Sequence, residues 1–256
     1  MTPPLPPEFL GRPVTHRGLH DHAKGIIENS ASAVRAAVAA GYGVEVDVQS
    51  TSDGAAMVFH DHLLGRLTPE NGLIRERAAR ELASVTLKGS TETMPTLPEI
   101  LGIVGGKVPL LIELKDQSGG TGSAPDDLEN AVVNALVGYT GPVAVMSFNP
   151  YMIANMKKHA PSIPRGIVTG SFKEKKWSGM TPAIRKALRK IIAFDAVGAS
   201  FISHDWHDLA APRVTELKAR GVPILCWTVK SAEEEVQARQ IADNITFEGY
   251  IPKESP

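Results

Sequence analysis

Short runs of apolar and β-branched residues alternate along the chain with longer, alanine-rich amphipathic stretches. The short runs predict strands, and the stretches in which apolar residues recur every three to four positions predict helices. Strands are predicted at residues 14–16, 43–50, 55–60, 109–114, 143–147, 167–168, 196–200, 223–229 and 244–247. Helices are predicted at residues 31–40, 126–137, 150–159, 182–194, 211–220 and 232–241, with shorter ones near 76–82 and 97–102.

The alternation predicts a parallel sheet, because parallel strands are joined by crossover connections that helices usually supply. Without the run at 55–60, eight strands remain, which is the number of β/α units in a (β/α)8 barrel of about 250 residues. We predict an α/β fold of the TIM-barrel class, in which residues 1–256 form one catalytic domain with a small cap-like insertion at about 61–107. An open, doubly wound sheet is the alternative.

The run at 55–60 has a different role, because its link to the strand at 43–50 is too short for a parallel crossover. Ser52, Asp53 and Gly54 favour a tight turn, which predicts an antiparallel hairpin extension after the second strand. In this hairpin, Asp47 is expected to lie roughly opposite His60. The hairpin would carry His60 to the C-terminal face of the barrel, where the active sites of TIM barrels lie.

The composition excludes several classes of protein. The 256 residues carry 27 Lys and Arg against 28 Asp and Glu, and this balance argues against a nucleic-acid partner or a polybasic membrane binder. Cys226 is the only cysteine, so an intramolecular disulfide is impossible and a reducing compartment is favoured. No secretory signal and no bilayer-spanning apolar run is visible. We predict a cytoplasmic protein without stable membrane association, and leave a homo-oligomer open.

Three carboxylates are predicted to share one site. Glu45 and Asp47 lie two residues apart in an otherwise apolar strand, so both side chains point to the same face. Glu113 and Lys115 repeat this spacing at the end of the next barrel strand. Clustered buried carboxylates are costly without a positive charge between them. A hard divalent cation, Mg²⁺ or Ca²⁺, would supply that charge, and a buried salt-bridge network with Lys115 or Arg17 is the alternative.

Two histidines and one arginine are candidates for further chemistry. His16 and Arg17 end the first predicted strand, and His60 ends the hairpin strand. Two imidazoles that converge on one rim could serve as general base and general acid. The guanidinium fork of Arg17 matches the oxygens of a phosphate group, and Gly18 allows the backbone to turn closely beside it.

The remaining signals are weaker. Phe148 follows a predicted strand and Trp227 lies within one, and each could either pack in the core or form the wall of a ligand pocket. The glycine-rich residues 119–123 predict a flexible loop rather than a phosphate cradle, and no dinucleotide fingerprint, P-loop or nucleophile elbow is present. Four loop residues have the composition of a zinc cluster without a spacing that fixes its geometry: His20, Asp21, His22 and His62.

These residues belong to a longer ordered set of motifs. The set comprises His16-Arg17-Gly18, Glu28-Asn29-Ser30, Glu45-Val46-Asp47-Val48-Gln49-Ser50-Thr51, Asp53-Gly54, His60-Asp61, Leu64-x-Arg66-x-Thr68, Leu97-Pro98-Glu99, Glu113-Leu114-Lys115, Ser147-Phe148 and Trp227-Thr228-Val229. In this order, and over nearly the whole chain, the motifs resemble those of the glycerophosphodiester phosphodiesterase family.

The resemblance implies a TIM barrel that hydrolyses glycerophosphodiesters, which are small-molecule substrates, to an alcohol and glycerol 3-phosphate. It also implies a divalent metal, Mg²⁺ or Ca²⁺, and an acid–base pair of histidines. The resemblance assigns Glu45, Asp47 and Glu113 to the metal, His16 and His60 to acid–base catalysis, and Arg17 and Lys115 to phosphate binding. From the residue types themselves we add a catalytic role for Arg17 and a substrate-binding role for Trp227 and Phe148.

Two positions depart from the family pattern. Lys230 stands where the family usually has asparagine, and Glu248 stands near the place of a terminal aspartate. We expect both changes to affect substrate preference more than chemistry. Two rival functions remain, a lyase-like phosphodiesterase that forms a cyclic phosphate and a catalytically inactive glycerophosphodiester-binding module. The intact set of histidines and carboxylates argues against the inactive module.

Overall fold

Eight parallel strands close into a barrel in the computed structural model, which describes residues 2–118, 122–173 and 177–252. The strands are β1 (Val14–Thr15), β2 (Gly43–Ser50), β3 (Ala56–Val58), β4 (Leu110–Leu114), β5 (Val143–Ser147), β6 (Arg165–Thr169), β7 (Phe201–Asp205), β8 (Ile224–Val229) and β9 (Asn244–Phe247). β1 pairs with both β2 and β9, which closes the ring, and β3 lies outside it. The predicted (β/α)8 barrel is confirmed, and the open sheet is excluded.

Helices surround the barrel and connect its strands. They are α1 (Ala31–Ala39), α2 (Ala79–Leu82), α3 (Leu97–Val104), α4 (Asp127–Ala135), α5 (Pro150–His159), α6 (Pro182–Arg189), α7 (Pro212–Ala219) and α8 (Ala232–Ala238). Side-chain caps fix where several of them begin. The Ser30 hydroxyl accepts a hydrogen bond from the Ala33 amide, and Thr96 and Glu99 form a capping box at α3.

The alternation of side chains along β2 separates the core from the site. Val44, Val46 and Val48 are fully buried between the barrel and the helices, as the period of two in a strand requires. The intervening side chains, Glu45 and Asp47, point to the opposite face. The apolar part of the barrel interior is formed by residues of other strands, including Leu111, Met146, Val168, Phe201 and Leu225.

The hairpin after β2 has a register that differs by one residue from the prediction. Val48 is opposite Val58 and Gln49 is opposite Met57, and the Phe59 amide donates to the Asp47 carbonyl at 3.0 Å. Phe59, and not His60, therefore lies opposite Asp47. The Thr51 hydroxyl accepts a hydrogen bond from the Ala55 amide at 2.8 Å within the turn, and the sequence did not reveal this contact. His60 still follows directly after the paired segment.

The insertion after β3 builds a small core of its own. Apolar residues from its turns and from α2 pack on β3, at a distance from the main barrel core. The buried residues of this group are Ile27, Met57, Phe59, Leu64, Leu67, Ile74, Leu82, Leu87 and Met94. The packing holds the backbone that follows His60 against the hairpin.

One predicted strand was wrong. Residues 196–198 form a turn, residues 199 and 200 have no regular structure, and the strand β7 runs over Phe201–Asp205 instead. The small apolar residues at 196–200 suggested a strand, but Gly198 has φ 62°, which an extended strand cannot accommodate. The helix predicted to reach residue 194 ends at Arg189, and Ile191 has φ 48° in the turns that follow. The other differences are shifts of a few residues at element ends, as is common for helices and strands.

The described residues contain no helix that is both long enough and apolar enough to cross a bilayer. The glycine-rich loop predicted at residues 119–123 lies partly outside the described residues, because 119–121 are not among them.

Candidate active site

Three buried carboxylates meet at the carboxyl end of β2 and β4. Glu45 and Asp47 lie on one face of β2, and the parallel register places Asp47 directly opposite Glu113. One oxygen of each side chain lies within 4.8 Å of an oxygen of the other two. The structure thus brings together the three residues that the sequence predicted as metal ligands.

Two cationic side chains contact this cluster. The Lys115 ammonium lies 2.7 Å from Glu113 Oε1 and 3.2 Å from Asp47 Oδ1. Arg17 Nε lies 3.1 Å from Asp47 Oδ2, although the N–H is not aligned for a hydrogen bond. The salt bridges foreseen as an alternative to a metal are therefore present. They do not neutralise the cluster, because two cations face three carboxylates and Arg17 is also shared with Glu28.

Glu45 is the least compensated of the three carboxylates. Burial, together with the neighbouring charges of Asp47 and Glu113, raises the pKa of Glu45 well above its usual range. Burial also disfavours ionised Asp47, but the neighbouring Lys115 and His60 keep the pKa of Asp47 below its usual range. Such a set of oxygen donors with an excess of negative charge fits a hard divalent cation.

The backbone turns sharply after β1 to supply further contacts. Arg17 and Asn29 have φ of 57° and 60°, a region that residues other than glycine seldom adopt. Gly18 follows at φ 77°, and a Cβ there would lie 2.8 Å from the backbone of α1. The turn directs the Arg17 amide to Glu45 Oε2 at 2.8 Å and the Asn29 side-chain amide to Asp47 Oδ2 at 2.9 Å. Strain concentrated beside charged groups is typical of functional sites.

A chain of ion pairs connects His60 to Arg17. Arg66 donates to Asp61 at 2.5 and 3.0 Å and to Glu28 at 2.8 and 3.0 Å. Glu28 also accepts from Arg17 Nη1 at 2.7 Å, and Asp61 lies 2.6 Å from His60 Nδ1. Burial disfavours ionised Glu28, but Arg66 and Arg17 lower the pKa of Glu28 to about 2. The network therefore orients both His60 and Arg17.

Sequence reasoning assigned no role to Glu28, Asp61 or Arg66. The signal was nevertheless present, since all three belong to the ordered motifs that carry the family resemblance. The motifs lie far apart in the chain, so their contact through Arg66 becomes visible only in the folded barrel.

His16 lies at the end of β1 and has its own carboxylate partner. Its Nδ1 is 2.5 Å from Glu248 Oε2, and Lys230 lies 2.7 Å from the other oxygen of Glu248. Burial lowers the pKa of His16, and the bond to Glu248 opposes that effect. The two positions that depart from the family pattern thus form an ion pair with each other. Sequence reasoning placed both near the rim without connecting them to His16.

Phe148 and Trp227 meet in an aromatic cluster. Their ring centroids are 5.5 Å apart in an edge-to-face arrangement, and both rings pack on the interior core of the barrel while staying partly exposed. Phe172 and Trp177 extend the cluster, with centroids 6.3 and 5.2 Å from Phe148. The geometry is compatible with both roles foreseen from the sequence, core packing and the wall of a pocket.

The histidine-rich loop residues do not assemble a metal site. His20 and His22 are 5.6 Å apart between ring centroids. Among the residues that the structure describes, Glu45, Asp47 and Glu113 form the one group of three or more potential ligands close enough to share an ion.

Comparison with known proteins agrees with this geometry. Residues 16–245 match the sequence model of the glycerophosphoryl diester phosphodiesterase family. A glycerophosphodiester phosphodiesterase from Caldanaerobacter subterraneus is 27% identical over 231 residues, and the match covers 86% of each chain.

Solved structures show the same fold. A phosphodiesterase from Oleispira antarctica, solved in complex with its product sn-glycerol 3-phosphate, aligns with a TM-score of 0.75 at 23% identity, covering 94% of this chain and 93% of the other. A glycerophosphodiester phosphodiesterase from Parabacteroides distasonis aligns with a TM-score of 0.71 at 21% identity, covering 93% and 94%.

Proposed function

Because this chain belongs to the glycerophosphoryl diester phosphodiesterase family and is therefore a phosphoric diester hydrolase, we propose that it cleaves glycerophosphodiesters to an alcohol and glycerol 3-phosphate. One observation carries the proposal. Two imidazoles, each bonded through Nδ1 to a carboxylate, lie beside a cluster of three buried carboxylates and two cations. The sn-glycerol 3-phosphate bound to the Oleispira antarctica relative supports the same product class. We assign the activity to residues 1–256 as one catalytic domain.

The metal site of the proposed enzyme is formed by Glu45, Asp47 and Glu113. Their oxygen donors and their excess negative charge support Mg²⁺ or Ca²⁺. When bound, such a cation polarises a phosphoryl oxygen and stabilises the charge that develops on it. The contacts of Lys115 with two of these carboxylates support a role for its ammonium in binding a phosphoryl oxygen of the substrate.

The two histidines move the protons. Burial disfavours the ionised forms of Glu248 and Asp61, but the basic side chains beside each carboxylate hold its pKa below the usual range. Each carboxylate therefore accepts a hydrogen bond from a histidine Nδ1–H, which leaves Nε2 for proton transfer. One imidazole accepts the proton of the nucleophile, a water or the neighbouring glycerol hydroxyl, and the other protonates the leaving alkoxide.

Residues around the carboxylate cluster and the two histidines bind the substrate in this proposal. Arg17 presents a guanidinium whose position is fixed by Glu28, and a preorganised fork of this kind binds phosphoryl oxygens bidentately. Phe148 and Trp227 offer an apolar wall for the carbon skeleton of the substrate. The ligand is a small molecule. The single cysteine, Cys226, is buried and free, which supports a reducing, cytoplasmic location.

The test is turnover of glycerophosphocholine and glycerophosphoethanolamine with Mg²⁺, with Ca²⁺ and after treatment with EDTA. We expect metal-dependent release of linear glycerol 3-phosphate, identified by phosphorus NMR. Accumulation of a cyclic phosphate would instead identify the lyase-like reaction. Tight binding of both compounds without turnover under any metal condition would identify an inactive binding module and overturn the proposal.

A further inference from the structure

Glu248 lies between three basic side chains at the rim of the barrel. It follows β9, and Lys230 follows the neighbouring strand β8. Glu248 Oε2 is 2.5 Å from His16 Nδ1 and 3.6 Å from His20 Nε2, and Glu248 Oε1 is 2.7 Å from the Lys230 ammonium. Both oxygens of one carboxylate are thus engaged, one by an imidazole of the proposed acid–base pair and one by a lysine.

We propose that Glu248 and Lys230 are positioning residues that act as one unit on His16. Glu248 holds the imidazole in the tautomer with the proton on Nδ1, and Lys230 fixes the carboxylate and offsets its charge. The inference rests on the proposed function, because it specifies how one residue of that site is set. Neither Glu248 nor Lys230 is required to touch substrate for this role.

The direction of the hydrogen bond follows from the charge of Glu248. Burial disfavours its ionised form, but the hydrogen bond from His16 and the nearby imidazole of His20 hold the pKa of Glu248 below its usual range. An ionised carboxylate only accepts hydrogen bonds, so His16 Nδ1 is the donor. The neutral imidazole then carries its lone pair on Nε2, and the cationic imidazole is stabilised by the adjacent negative charge.

Lys230 limits the effect of that negative charge. A carboxylate next to an imidazole favours the cation, whereas a lysine on the other side of the carboxylate opposes it. Charged groups on other elements also act on His16, so its pKa depends on the sum of their opposing effects. The groups that face His16 or its carboxylate are Arg17, His20, Asp47, Lys230 and Glu248.

If the role of Lys230 were purely structural, replacing it would have only a small effect on the stability of the protein. The Lys230 side chain is 62% exposed, and exposed ion pairs contribute little to stability. A comparable pair is available as a control, since Lys218 lies 2.9 Å from Asp243 and is 42% exposed, on another part of the barrel. Replacing either lysine should have similar small effects on the melting temperature, but only Lys230 should affect His16.

The experiment compares Glu248→Gln, Lys230→Met, the double variant and Lys218→Met. The pH dependence of kcat/KM is measured with glycerophosphocholine at saturating metal. The limb that belongs to His16 should move to lower pH in Glu248→Gln and to higher pH in Lys230→Met, whether His16 is the base or the acid. We expect kcat to fall about 10–100-fold in Glu248→Gln, the range for losing an orienting partner.

Coupling between the two residues provides the second criterion. Lys230→Met should lower kcat by less than about fivefold in the wild-type background and have no effect once Glu248 is glutamine, because residues in one network are not additive. Lys218→Met should leave both limbs of the profile unchanged. Equal shifts in the same direction for Glu248→Gln and Lys230→Met, or additive effects in the double variant, would overturn the inference.

A readout without substrate separates this inference from the proposed function. Nitrogen-15 NMR of the histidine rings reports both the tautomer and the pKa of His16 in the wild type and in each variant. We expect Nδ1–H in the wild type, with opposite pKa changes in the two single variants. If the protein turned over no glycerophosphodiester, these spectra would still test the role of Glu248, and an Nε2–H tautomer would contradict it.

Discussion

Arg17→Lys tests whether the guanidinium fork contributes to catalysis or only to the fold. The wild-type side chain lies between Glu28 at 2.7 Å and Asp47 at 3.1 Å, and only 16% of it is exposed. Lysine keeps the positive charge, but its single ammonium cannot occupy the positions of Nη1 and Nε at once, so we expect one of the two contacts to be lost in its present geometry.

The cost to stability can be worked out from that loss. One hydrogen bond to a charged group contributes about 1.5–3 kcal/mol. For a chain of this size each kcal/mol shifts the melting temperature by about 2–4 °C, so Arg17→Lys should melt about 3–12 °C below the wild type.

The cost to catalysis is expected to be separate. If the fork binds the phosphoryl oxygens as their charge grows, kcat and kcat/KM should fall together, by about 10²–10³-fold, as for the loss of one preorganised donor. Steady-state kinetics at saturating metal, well below the melting transition, measure this effect. If Lys served equally well as an anion-attracting charge, KM alone would change.

Arg165→Lys is the matched control. Arg165 is also a buried arginine, 2% exposed, but it donates to the backbone carbonyls of Pro161, Ile163 and Val197, and its position at the start of β6 is the end of the barrel opposite to the site. It should lose stability to a similar extent and keep the wild-type kcat. An unchanged kcat in Arg17→Lys, with the loss of stability alone, would refute the catalytic role.

Further predictions concern the metal site, the two histidines and the packing of the barrel interior. Glu45→Gln should weaken Mg²⁺ and Ca²⁺ binding in calorimetry by more than the roughly 10–100-fold typical of losing a residue that only orients a metal ligand, and equal affinities would mean that the site is misplaced. The pKa of Glu45 in the metal-free folded protein lies above its value of 4.5 in the unfolded chain, so the wild type loses stability as the pH rises from 4.5 through the folded-state pKa. Glu45→Gln escapes this loss, so the melting temperature of the variant should exceed that of the wild type at neutral pH and equal it at lower pH. His16→Ala and His60→Ala should each reduce kcat by roughly 10²–10⁴-fold, and the double variant by much less than the product, whereas wild-type turnover in a folded single variant would contradict the assignment. Gly166→Ala should lower the unfolding free energy by about 1–3 kcal/mol in urea denaturation, because the added Cβ would lie 2.3 Å from the Phe201 ring, and an unchanged midpoint would show that the ring moves aside freely.

Local patterns in the sequence were enough to predict the class of fold and most of the residues that meet at the candidate site. Eight β/α units follow from local periodicity, and local periodicity also places Glu45 and Asp47 on one face of β2. The short turn after β2 required an antiparallel hairpin, because chain length alone forbids a parallel crossover. These conclusions depend on residues that are close together in the chain, where spacing and turn chemistry act directly.

Features that depend on residues far apart in the chain became visible only in the folded protein. The position of β7 was fixed by backbone turns around Gly198 and not by the apolar run that suggested a strand. The hairpin register differs by one residue from the predicted one, and the turn contains hydrogen bonds between Thr51 and Ala55. Neither feature follows from hydrophobic pattern, because small apolar residues occur in turns as well as in strands.

The partners of the two histidines show the same division. Asp61 is adjacent to His60 in the sequence, but the Arg66–Glu28 bond that connects this pair to Arg17 spans 38 residues. His16 and Glu248 are 232 residues apart, and they meet only because β9 pairs with β1 when the barrel closes. The imidazoles and carboxylates can therefore be identified from the sequence. Which carboxylate contacts which imidazole depends on how the barrel closes.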